Sequence, residues 1–189
     1  MNKFMKIGGG VDVLPLLLQI QRQPELWDRN KARLLPHGPH RDSHDIWIRY
    51  KDETENLASC DYSNFADQHD PIWYPAYYAL PAIRPIVFGL MARVEGERLG
   101  GILIYKLEPG KVIHPHIDPG WHPNYYEKFN VSLRSEPGCV FHYEDEKMRA
   151  LTGDVYWYTN NTMHWCTNES PDDQIVMSVS IRTHARGVA

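Results

Sequence analysis

Cysteine is scarce in this chain. Cys60, Cys139 and Cys166 form neither a C-x-x-C pair nor an even set. That excludes thiolate zinc ribbons and disulfide frameworks and leaves reduced thiols, the usage expected of a cytoplasmic protein. Long apolar runs are missing too. The apolar stretch 14–18 is interrupted by Pro15 and preceded by Gly8, Gly9, Gly10 and Asp12, so no signal-peptide core forms. No run approaches the ~20 residues that a membrane span needs, and no membrane partner is expected. A basic excess is also absent: 20 Lys and Arg stand against 24 Asp and Glu, for a net charge of −4. Without a basic stripe, nucleic acid is not an expected partner either. There is no G-x-S-x-G, no H-E-x-x-H and no phosphate loop. Gly8, Gly9 and Gly10 lack the preceding strand that a dinucleotide fingerprint requires.

What remains is a globular composition, 42% hydrophobic and 23% charged over 189 residues, with 6 Trp and 11 Tyr. The length suits a single domain over 1–189. Its N-terminal part, 1–98, mixes helices and loops. Pro15 opens a helix with Val13, Leu17 and Ile20 on one face, and Pro24 limits it. A strand at 44–52 places Ile46, Ile48 and Tyr50 on one side, and a long loop follows from Asn56 to Pro75. A helix then starts after Pro81 or Pro85 and ends before Gly100 and Gly101. From about residue 99 to 184 the texture changes to short strands separated by turns. "GILIYKL", "VIHPHID", "KFNVSLR", "CVFHY", "VYWYT" and "QIVMSVSIR" recur at the spacing of a sandwich or jelly roll. The expected fold class is therefore mainly β, a jelly roll with flanking N-terminal helices.

Two strands have one apolar and one polar face. Phe129, Val131 and Leu133 oppose Lys128, Asn130, Ser132 and Arg134. Ile175, Met177, Val179 and Ile181 oppose Gln174, Ser178, Ser180 and Arg182. The polar faces either meet solvent or line a cavity; period two alone does not decide.

The chemistry concentrates in "HPHID". His116 and Asp118 are two apart, so an extended backbone points both to one face. A third ligand must come from a neighbouring strand, and "TMHWCTN" supplies His164. Two imidazoles and one carboxylate leave three octahedral positions open, the facial ligand set of non-haem iron(II) oxygenases. His114 shares the parity of His116 and is its rival.

These segments together resemble the aspartyl/asparaginyl β-hydroxylase-like 2-oxoglutarate oxygenases over about residues 100–184. Pro109-Gly110, Pro115-His116, Asp118, Gly153, His164 and Asn168 follow that family's pattern in order. The resemblance implies a double-stranded β-helix, iron(II) on His116, Asp118 and His164, and 2-oxoglutarate as co-substrate. It also implies hydroxylation of a substrate C–H bond, with a peptide, protein or amino-acid substrate by family analogy alone. In that family a basic residue follows the distal His at a spacing that here falls on Gln174, which cannot form a salt bridge. Lys128 falls where the family places an Arg and can compensate. Tyr105 matches a hydroxyl-bearing position, Asn130 stands where His is frequent, and Arg182 is a further candidate for the distal carboxylate.

Two other readings stay open. His114-Pro115-His116 also gives the H-x-H of a cupin, although the expected Glu falls on Gly120 or Trp121. A non-catalytic ligand-binding jelly roll would use Trp121, Tyr125, Tyr126, Trp157, Tyr158 and Trp165 as a stacking platform.

Overall fold

The structure, a computed structural model, describes residues 3–61 and 70–184. Two antiparallel sheets form its frame. In the larger sheet, strand β1 (Phe4–Gly8) lies beside β9 (Val155–Tyr158). Then come β6 (Glu127–Arg134), β11 (Gln174–Thr183), β4 (Gly96–Leu107), β2 (His44–Tyr50) and β3 (Ile72–Trp73). The smaller sheet runs β5 (Val112–His116), β10 (His164–Asn168), β7 (Cys139–Tyr143) and β8 (Lys147–Met148). Helices α1 (Leu14–Gln21), α2 (Thr54–Ser59), α3 (Pro75–Ala79), α4 (Ile83–Arg93) and α5 (His122–Tyr125) complete the described elements.

The strand alternation read from the sequence sorts residues between two cores. Phe129, Val131, Leu133, Met177, Val179 and Ile181 all point to one side of the large sheet. There they pack with Leu16 and Ile20 of α1 and with Ile83, Val87 and Leu90 of α4. Val131, Met177, Val179 and Ile181 are completely buried, each worth about 1.5–3 kcal/mol of transfer free energy. The opposite face meets the small sheet across a ring-rich core of Tyr105, Phe141, Tyr143, Tyr156 and Tyr158. Asn130 and Ser132 face this interior at 1% exposure each, so the polar strand faces line the inside of the fold and not its surface. A double-stranded β-helix with helices against its larger sheet is the observed architecture.

Several local expectations change. Asn56 to Pro75 is not one loop: α2 and α3 bracket β3, whose Ile72 and Trp73 pair with Tyr50 and Arg49. A two-residue strand is too short to show a period. The segment before Gly9 is a strand, β1, because Phe4, Met5 and Lys6 pair with Tyr158, Trp157 and Tyr156. It joins antiparallel, not in a parallel βαβ unit, so the glycines still form no dinucleotide turn. Residues 62–69, in the middle of the expected loop, lie outside the described residues. Cys60, Cys139 and Cys166 are free thiols, and no helix among the described residues is long and apolar enough to cross a membrane.

One glycine is fixed by backbone contact. Gly138 adopts φ +110°, and a Cβ there would stand 2.7 Å from the Ser170 nitrogen. Gly138→Ala is expected to lose about 2–4 kcal/mol of stability, from left-handed strain plus a clash with main chain that cannot swing aside. Urea unfolding of the two proteins checks this, and a loss below about 1 kcal/mol contradicts it.

Candidate metal centre

β5 and β10 are neighbours in the small sheet, with His116 opposite His164. Further along, Ile113 is opposite Cys166, so three steps on β5 match two on β10. This bulge resets the alternation, and Ile113 and His116 both line the interior although they are an odd number of residues apart. It also places the two histidines differently. His114 turns outward: its Nε2 lies 2.7 Å from Asp42 Oδ2, and its Nδ1 lies 3.1 Å from the Arg41 guanidinium.

His116, Asp118 and His164 each offer one ligand atom, and these atoms lie within 4.8 Å of one another. Asp118 Oδ1 is 3.6 Å from His116 Nε2, and the two imidazole centroids are 4.3 Å apart. An octahedral ion with bonds of about 2.1 Å needs adjacent donors about 3 Å apart, so only a small contraction separates this arrangement from a ligand shell. Both rings are aimed by the same local device. His116 Nδ1 donates to the His114 carbonyl at 2.7 Å, and His164 Nδ1 donates to the Thr162 carbonyl at 2.8 Å. Each Nε2 is thereby left as the lone-pair donor facing the centre. Phe141 stacks against His164 at 5.6 Å, and His40 meets His116 edge-on at 5.1 Å.

The centre opens into a cavity of about 800 Å³. Its inner wall carries Tyr105, Lys128, Asn130, Tyr158, Cys166 and Ser178, projected from β4, β6, β9, β10 and β11. Its outer wall comes from the segment 32–40, from Tyr50 and Lys51, and from the segment 117–123.

Burial sets much of the electrostatics. It lowers the His164 imidazole, with His116 adding to the effect, so the ring is neutral and able to ligate near pH 7. Burial raises Asp118, but Lys128, His164 and the Asn160 amide outweigh it and hold the carboxyl below its ordinary value. Burial also lowers Lys128, to about 8; Asp118 opposes this shift, while Arg33 and Lys51 add to it. Among the described residues no carboxylate lies within ion-pair distance of the Lys128 ammonium. Burial pushes His122 down to about 3 with help from Lys128 and Lys51, so it stands neutral at the rim.

The structure brings His116, Asp118, His164, Tyr105, Lys128 and Asn130 to one cavity. It does not bring Arg182 there. That side chain sits at the far end of β11, stacked 4.5 Å from the Tyr125 ring and 3.6 Å from Glu97. Eight residues of extended strand separate it from Gln174, too far to serve the same carboxylate. Gln174 is buried but lines no part of the cavity. Three contributors escaped sequence reasoning. Arg33 enters from the N-terminal part, paired with Asp45 at 2.7 Å and bonded to His40 at 2.8 Å. His40 comes from the same segment, and Asn160 grips Asp118. Arg33 and His40 sit in a segment without a periodic pattern, and Asn160 lies between two strands in a stretch that has none either.

No family model and no curated protein matches this chain. Solved structures do. An oxidoreductase of the 2OG-Fe(II) oxygenase family from Burkholderia pseudomallei superposes with a TM-score of 0.53 at 17% identity, covering 87% of this chain and 78% of its own. The viral collagen prolyl hydroxylase of Paramecium bursaria Chlorella virus-1, solved as its 2OG complex, gives a TM-score of 0.57 at 13% identity, covering 96% and 97%. The chain thus has the double-stranded β-helix fold of these oxygenases, over nearly the whole length of the viral one.

Proposed function

We propose that this protein is an iron(II)- and 2-oxoglutarate-dependent oxygenase that hydroxylates a C–H bond. The observation that carries the reading is the convergence of two imidazole nitrogens and one carboxylate oxygen at the mouth of a cavity whose inner wall holds an ammonium without a carboxylate partner. The donor set fits iron(II) with open positions. The cavity fits the co-substrate. Lys128 faces it, Tyr105 adds a hydroxyl, and the buried Asn130 Oδ1 has no hydrogen-bond partner while its Nδ2 donates to Tyr156 at 3.1 Å. Lys128 would hold the distal carboxylate of 2-oxoglutarate, and His116, Asp118 and His164 would hold the iron(II) that the 2-oxo acid end chelates. When bound, iron(II) would activate O2, the oxidant, which takes two electrons from 2-oxoglutarate as it becomes succinate and CO2 and two from the substrate C–H bond.

The chain's own residues do the remaining work. His116 and His164 present Nε2 because their Nδ1 protons are committed to carbonyls. Phe141, Tyr158, Leu103 and Ile113 exclude water from the inner wall. Arg33, fixed by Asp45, ties the segment 32–40 to β2 and so holds the outer wall in place. For the substrate we propose a peptide, protein or amino-acid side chain, as the family resemblance implies; the viral neighbour is named as a collagen prolyl hydroxylase. The cupin reading needed His114 as a ligand, and His114 is engaged with Asp42.

Conversion of 2-oxoglutarate to succinate by the purified chain with added iron(II), measured without substrate, tests the proposal. Turnover by the native chain and its absence in Asp118→Ala supports it; no iron-dependent succinate from the native chain overturns it.

A further inference from the structure

On the reading just given, an ion held by His116, Asp118 and His164 must keep three positions open, two of them for one chelating co-substrate. A carboxylate can defeat this by binding with both oxygens, as acidic side chains do on larger cations. Asp118 has a neighbour placed to prevent it. Asn160 Nδ2 donates to Asp118 Oδ2 at 2.6 Å, which takes one of that oxygen's two acceptor sites and holds the oxygen in place. The Asp118 backbone N–H donates to the Asn160 carbonyl at 3.1 Å, which fixes the main chain from which the carboxylate hangs. Oδ1 alone is left toward His116.

Asn160 cannot follow the carboxylate if it swings. It is 3% exposed, and its loop is tied to the rest of the fold at two points and braced by one bond within itself. Thr159 N–H donates to the Lys3 carbonyl at 3.1 Å, the Tyr143 hydroxyl donates to the Thr159 carbonyl, and the Thr159 hydroxyl donates to Asn161 Oδ1 at 2.6 Å. The amide donor is therefore in place before any ion arrives. An amide also suits the task chemically. It satisfies one carboxylate oxygen without bringing a positive charge beside the ion, as an Arg or Lys would.

We propose that Asn160 is a positioning residue that restricts Asp118 to one-oxygen coordination and so keeps open the position needed by the 2-oxo acid chelate. A purely structural role predicts a different pattern, in which metal affinity, co-substrate affinity and folding decline together.

The test uses the full chain with cobalt(II), an oxidation-resistant ion, and calorimetric titration of the ion and then of 2-oxoglutarate. Asn160→Ala removes the donor, and Asn160→Leu keeps the shape without it. In both, cobalt(II) is expected to bind within about threefold of the native chain or more tightly. 2-Oxoglutarate should bind the loaded protein at least ~10-fold more weakly, the scale of a lost partner behind a metal ligand. The visible cobalt(II) spectrum of the loaded variants, taken without 2-oxoglutarate, should shift as a further protein oxygen joins the shell. Circular dichroism identifies which variant is folded, and one folded variant suffices. The proposal is overturned if a folded variant keeps native 2-oxoglutarate affinity, if both affinities fall in equal proportion, or if neither variant folds. Failure of the underlying reading shows separately, in the native chain: no cobalt(II) uptake, or uptake without 2-oxoglutarate binding, removes the metal or co-substrate reading and the role of Asn160 with it.

Discussion

His116→Ala is expected to abolish iron(II) binding while His114→Ala leaves it intact. The two side chains lie two residues apart in the same strand, so the pair is a stringent control. His116 faces His164 across the β5–β10 ladder, whereas His114 bonds to Asp42 on the outside. Losing a partner behind a metal ligand typically costs 10–100-fold in affinity, and losing the ligand itself should exceed ~100-fold. The fold should survive, because His116 lies at a cavity and contributes little to either apolar core. Calorimetric titration with iron(II) under anaerobic conditions gives both affinities. Equal losses in the two variants, or a larger loss in His114→Ala, would show that the bulge does not select between them.

Lys128→Ala carries the second large effect. A carboxylate brought into the cavity must find a charged partner or lose several kcal/mol. Lys128 is the inner-wall cation without a carboxylate partner. Truncating one member of a buried charge pair typically costs ~2–5 kcal/mol, so the 2-oxoglutarate requirement should rise about 100-fold, with metal affinity nearly unchanged. The same residue predicts a pH dependence. Burial lowers the Lys128 amine to about 8, so below that value it is charged and the anchor is present. As pH rises through about 8 the ammonium is lost, and affinity for the dianion should decline. Lys128→Arg should extend the plateau to higher pH, because a guanidinium keeps its proton. Stability of the ligand-free chain moves the other way. From about 8 up to the ordinary lysine value of about 10.4 the unfolded chain holds the extra proton, so stability rises with pH across that window. An unchanged 2-oxoglutarate requirement in Lys128→Ala would move the anchor to Arg33 or Lys51, the other lysine and arginine of the cavity wall.

Much of the site was legible because strands write their faces in alternation. Phe129, Val131, Met177 and Val179 against Asn130 and Ser178 gave the sheet's two sides, and the structure adds only that the polar side is interior. The ligand pair two residues apart was legible for the same reason. The choice between His114 and His116 was not, because it depends on a bulge, and a bulge is defined by the partner strand. Arg182 misled because shared parity says nothing of distance along a strand; it lies four residues beyond Ser178, the β11 residue that lines the cavity. Arg33, His40 and Asn160 lie on segments whose conformation is set by what they touch, and no local pattern announces them. β1 was missed because five residues that expose Met5 and Lys6 carry too little alternation to register.

That first strand has a consequence for how the molecule comes into being. Phe4 pairs with Tyr158, and the Lys3 carbonyl receives the Thr159 N–H at the base of the loop that leads to His164. During synthesis β1 must therefore wait, unpaired, until β9 has left the ribosome. The large sheet cannot be completed hairpin by hairpin from its beginning, which places this fold among slow, long-range assemblies. Iron added early would meet a chain whose binding loop has no floor. Recovery of metal-competent protein should depend on the order in which folding and loading are carried out, with the ion supplied last.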